Sequence, residues 1–96
     1  MIQQIINPGE NKPPKIQSQL LESYSNIMTD PNIHNGWPHI KGTKILAFDI
    51  FRSVIEGHSL PSILFNLKKI GVKMKQEQLS EAFNFTLQWL SALYLK

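Results

Sequence analysis

The chain has 96 residues, 42% of them hydrophobic, and a formal net charge of +3. That length holds one small domain with one core, and the composition is that of a globular rather than a disordered chain. The absence of cysteine excludes a disulfide framework and cysteine zinc sites and suits the reducing cytoplasm, where the protein is expected.

Residues 1–24 read as an N-terminal extension and residues 25–96 as a single domain. The first twelve residues, MIQQIINPGENK, lack a basic stretch followed by an apolar one, so a secretory signal is not expected. No apolar run is long enough for a membrane span. Three prolines and a glycine in NPGENKPP mark a linker over 7–14. Pro14 suits the first turn of a short helix in which Ile16, Leu20, Leu21 and Tyr24 keep helical spacing.

NIMTDPNIHNGWPHI reads as a hairpin with strands near 26–29 and 37–40. Asp30 and Pro31 begin a turn, and Asn35-Gly36 supplies two residues that tolerate positive φ. Pro38 fits an edge strand. Gly42-Thr43 bends the chain into the first of three helices, near 47–56, with Phe48, Phe51, Val54 and Ile55 on its apolar side and Asp49 in its first turn. Gly57 ends it. Ser59 caps the second helix, near 60–70, whose buried stripe is Ile63, Leu64, Leu67 and Ile70.

The third helix, near 76–94, has a polar stripe of Glu77, Glu81, Asn84, Gln88 and Ser91. Leu79, Ala82, Phe83, Thr86, Leu90 and Leu93 are placed to face the domain's own core. Phe85, Trp89 and Ala92 then point elsewhere. One small domain hardly covers this much apolar surface, so Phe85, Trp89, Ala92 and Tyr94 are the expected dimer or partner interface. The competing cover is the N-terminal segment, through Ile16, Leu20, Leu21 and Tyr24.

GWPHIKGTKI has tryptophan and proline where a phosphate-cradling loop needs small residues. His34, His39 and His58 share no helical face and are expected at the surface, so no metal site is expected. The seven carboxylates are scattered. Glu77 and Glu81 pair at i, i+4, but on the solvent stripe, where nothing desolvates them. No catalytic residue, cofactor or enzymatic activity is therefore expected. Lys68, Lys69, Lys73 and Lys75 cluster around the turn before the third helix, as a phosphate clamp would. Gln78, in its first turn, is a base-reading type, whereas Glu77 and Glu81 would repel a phosphate-lined groove.

The run TDPNIHNGWPHIKGTKI, followed by DIFRSVIEGHSLPSIL and KQEQLSEAF, resembles the bacterial and archaeal family called domain of unknown function 433. The resemblance spans about Ile27 to Phe85 and is carried by Asp30, Pro31, Gly36, Pro38, Ile40, Gly42, Thr43, Gly57, Ser59, Glu77 and Gln78, among others. It implies a mainly α fold: a three-helix, homeodomain-like helix-turn-helix bundle preceded by a short β-hairpin, with a long C-terminal helix. It also implies a homodimer and, as in members that look like antitoxins, a PIN-type toxin and double-stranded DNA as partners. Asp30, Pro31, Gly36, Pro38, Gly42, Thr43, Lys44 and Gly57 form the structural signature. Lys44 replaces the usual arginine, which weakens any bidentate hold on a carboxylate. Lys75-Gln76 replaces the usual Thr-Pro and so loses an N-cap hydroxyl. The resulting expectation is a dimeric, DNA-binding, antitoxin-like regulator. The alternative is a protein–protein interaction module that does not bind DNA.

Overall fold

The computed structural model describes residues 11–94, the side chain of Tyr94 excepted. In chain order its elements are α1 (Ser18–Glu22), β1 (Ile27–Met28), β2 (His39–Ile40), α2 (Ala47–Ile55), α3 (Leu60–Lys69) and α4 (Gln76–Tyr94). The fold is mainly helical, with one small antiparallel sheet pairing Ile27 with Ile40 and Met28 with His39. Helices α2, α3 and α4 lie within about one residue of the bounds expected from periodicity and caps.

Local chemistry explains those bounds. Ser59 Oγ accepts the Ser62 N–H at 3.2 Å and starts α3. Gly57 and Gly71 stop α2 and α3 with φ of +108° and +88°, a region costly for a residue with a Cβ. At each stop two N–H groups turn back on the helix. Gly57 donates to the Val54 carbonyl and His58 to that of Ser53, each at 3.0 Å; Gly71 donates to Lys68 at 3.0 Å and Val72 to Leu67 at 2.9 Å. The start of α4 lacks a hydroxyl cap, but Gln78 Oε1 accepts the Lys75 N–H at 2.8 Å. This is the returning half of a capping box. Gln78→Ala is therefore expected to lower stability by about 0.5–1 kcal/mol in urea unfolding.

The hairpin differs from the expected one. Each strand has two residues, and the chain between them is a long loop. Asp30 already turns the chain: its carbonyl accepts the Ile33 N–H at 2.8 Å and its Oδ1 accepts the Asn32 N–H at 2.8 Å. The strands thus part at Met28. Asn35-Gly36 forms a second turn with His34, all three at positive φ. Pro38 is buried just before β2, and its carbonyl accepts the Ala47 N–H at 2.9 Å, tying the sheet to α2.

Helix α4 is the central element, packed by α1, α2, α3 and both strands. The core joins Ile27, Trp37, Ile40, Leu46, Ala47, Ile50, Ile63, Leu79, Ala82, Phe85 and Trp89. On α2 the buried positions are Ala47 and Ile50, while Ile55, expected inside, is 65% exposed. On α3 Ile63 is buried, and Ile70, also expected inside, lies past the helix end and is 73% exposed. Of the expected α4 core positions, Leu79, Ala82 and Thr86 are buried, and Thr86 Oγ1 donates to the Ala82 carbonyl at 2.8 Å.

The largest correction concerns Phe85 and Trp89. Both are buried within this chain, at 0% and 1% exposure, so they do not point away from it. The N-terminal segment covers them, as the competing expectation had it. Tyr24 meets Phe85 edge-on at 5.8 Å, and its hydroxyl donates to Gln88 Oε1 at 3.0 Å. The Trp89 indole donates to the Lys15 carbonyl at 3.0 Å, and the Trp37 indole to that of Asn11. Ile16, Leu20 and Leu21 pack on the same core, so the described part of the extension belongs to the domain.

Candidate interaction surface

Helix α3 places Pro61, Leu64, Phe65 and Lys68 at i, i+3, i+4 and i+7, one helical side. Only Ile63 of this helix is buried; Leu64 and Leu67 are half-buried, and Phe65 is 63% exposed. After Gly71 turns the chain, Val72, Lys73 and Met74 face that side across an open groove of about 480 Å³. Val72 and Lys73 also border an adjoining open cleft of about 500 Å³, shared with Gly42, Thr43, Lys44 and Ile45. One surface therefore runs from the outer side of α3 to the bend before α2.

That bend is held locally. Thr43 Oγ1 donates to the Ile40 carbonyl at 2.8 Å and accepts the Ile45 N–H at 3.0 Å. The His34 ring donates from Nε2 to the Lys44 carbonyl at 3.2 Å, which fixes the Lys44 backbone and leaves its side chain exposed.

The electrostatics of the surface are one-sided. Residues 57–76 contain four lysines and no acidic residue. Lys68, Lys69, Lys73 and Lys75 are all exposed. Among the described residues none of them forms an ion pair; the pair present is Arg52 with Asp49 at 2.9 Å on α2. Lys69 Nζ lies 5.3 Å from the centre of the exposed Phe65 ring, a cation–π contact that needs no carboxylate. The surface thus offers several uncompensated cations beside apolar side chains.

The other expected site residues are distributed as follows. Gln78 is half-buried and its amide oxygen caps α4, so it is not presented as a free base-reading group. Glu81 leaves the expected solvent stripe: its two oxygens accept the Asn26 N–H at 3.2 Å and Asn26 Nδ2 at 2.7 Å, pinning α4 to the start of β1. Ala92 is half-buried and borders a small cleft of about 170 Å³ with Lys15, Leu20 and Trp89. The Tyr94 side chain, the fourth expected interface residue, lies outside the described residues. His34 and His58 are exposed, but His39, expected at the surface, is 1% exposed with Nδ1 unpartnered. Among the described residues no three histidine or acidic side chains group to hold a metal ion.

Sequence reasoning found the lysines but not the groove. The i, i+3, i+4 spacing of Pro61, Leu64 and Phe65 carries its signal, and the sequence reading assigned the apolar face of α3 to the core. No family model matches the chain, and neither a curated protein nor a solved structure does.

Proposed function

We propose that this chain is a small antitoxin-like regulatory protein that works by binding another protein, through the lysine-bordered surface of α3 and its link to α4. The apolar groove carries this reading. Exposed Phe65, with Leu64, Val72 and Met74 around the groove, provides the desolvatable anchors that protein interfaces use. The antitoxin-like part follows from the sequence resemblance. A binding rather than an enzymatic role fits the carboxylates: Asp30 holds a turn, Asp49 pairs with Arg52 and Glu81 is engaged by Asn26.

Double-stranded DNA is the second reading, favoured by the unpaired lysines, which match a phosphate-contacting strip. A homeodomain-like helix-turn-helix would have α4 read the major groove. Two observations weigh against that use of α4. Gln78 is engaged in the cap, and the acidic Glu77 is exposed in the first turn. Self-association, expected from the sequence, belongs to this proposal only through exposed side chains such as Phe65 and Ile70, because Phe85 and Trp89 are occupied in the core.

Fluorescence anisotropy with duplex DNA from upstream of the protein's own gene separates the two readings. The protein-binding reading expects weak binding, equal for a scrambled duplex, that disappears as salt rises. Tight, sequence-selective binding lost in the Lys68→Ala, Lys69→Ala double variant would replace it with the DNA reading.

A further inference from the structure

We propose that the groove between α3 and the Val72–Met74 link docks a short segment of a partner protein that is both apolar and acidic. The proposal rests on the protein-binding reading and names the chemistry of the partner. Two properties of the groove decide that chemistry. Its walls are apolar, with Leu64 and Phe65 on one side and Val72 and Met74 on the other. Its rim is cationic: Lys68 and Lys73 border it directly, and Lys69 sits over the Phe65 ring.

Charge complementarity follows from the sequence as well as the geometry. No carboxylate of this chain lies between Glu56 and Glu77, and among the described residues no ion pair forms at the rim lysines. A basic segment would bring like charges together, and a neutral one would gain nothing from the lysines. A segment with apolar side chains on one face and Asp or Glu flanking them satisfies walls and rim together. The groove's volume of about 480 Å³ is of the size that accepts a few side chains, as grooves for amphipathic helices do. A DNA backbone would meet the lysines but leave Phe65, Val72 and Met74 without apolar cover. The Gly71 turn, closed by its paired backbone bonds, holds the two walls in place before a partner arrives.

The test uses the full-length protein and a displayed library of random peptides of about 16 residues, long enough for four helical turns. The recovered sequences are expected to combine apolar residues with at least two Asp or Glu. Their affinity, read by anisotropy, is expected to fall by about tenfold or more in Phe65→Ala, and again in the Lys68→Glu, Lys73→Glu double variant. Both variants change exposed side chains, and unchanged circular dichroism confirms that they fold. Ile55→Ala, at an exposed apolar site on α2, is expected to leave affinity unaltered.

Recovery of peptides that bind both groove variants as well as the wild type would overturn the groove assignment while leaving a protein-binding role elsewhere on the surface. Failure to recover any peptide, together with duplex DNA binding that depends on the lysines but not on Phe65, would overturn this inference and the protein-binding reading together. A concentration-dependent dimer in sedimentation, abolished by Phe65→Ala, would make a second copy the occupant and likewise overturn it.

Discussion

Trp89→Ala is expected to destabilise the protein by about 3–5 kcal/mol, the range for removing a large buried aromatic side chain. The indole meets Trp37 edge-on at 5.6 Å and Phe85 at 6.0 Å, and its N–H holds the Lys15 carbonyl at 3.0 Å. Truncation removes both ring contacts, opens a cavity and leaves that carbonyl without its donor. Against a total stability of about 5–15 kcal/mol for a domain, this removes a large fraction of the whole. Urea unfolding monitored by far-ultraviolet circular dichroism measures it. Leu87→Ala, on the same helix but 44% exposed, is expected to cost less than about 1 kcal/mol. Had Trp89 been an interface residue, its truncation would instead change sedimentation and leave monomer stability nearly intact.

Removal of residues 1–24 is the second large expected effect. The described part of this segment brings Ile16, Leu20, Leu21 and Tyr24 onto the core. Each is half-buried, so each contributes roughly 1 kcal/mol of apolar burial, before the entropy of ordering the segment is counted. Their loss also uncovers Phe85 and Trp89. The truncated chain is expected to unfold at lower urea and to associate with increasing concentration, because its uncovered face is now the apolar surface that the sequence assigned to a second chain. A truncated chain that is as stable as the full one and stays monomeric would show that the N-terminal segment is not the cover.

Helix bounds were the most legible part of the sequence, because they rest on local chemistry. The Ser59 cap, the two glycine stops and the apolar spacing act within a few residues of where they are read. The hairpin was less so. Asn35-Gly36 did adopt positive φ, but the Asp30 turn acts first and separates the strands. The sequence offered both a second chain and the N-terminal segment as cover for α4 but did not decide between them, since the contacts join positions more than sixty residues apart: Trp89 and Lys15 are 74 apart. Glu81 illustrates the same limit. Its i, i+4 spacing from Glu77 places it on a polar stripe, yet the Asn26 side chain and N–H come from another element to hold it. The candidate surface was half legible. Its lysines are a run in the sequence, whereas its groove exists because the Gly71 turn folds Val72 and Met74 back beside Leu64 and Phe65.

Photocrosslinking from position 65 in the producing cell decides whether the groove meets a protein. A photoreactive phenylalanine analogue replaces Phe65, whose exposed ring borders the groove, and a control carries it at the exposed position 22 on α1. A discrete, protease-sensitive adduct is expected from position 65 and not from the control. A nuclease-sensitive adduct from position 65, or the same adducts from both positions, would contradict it.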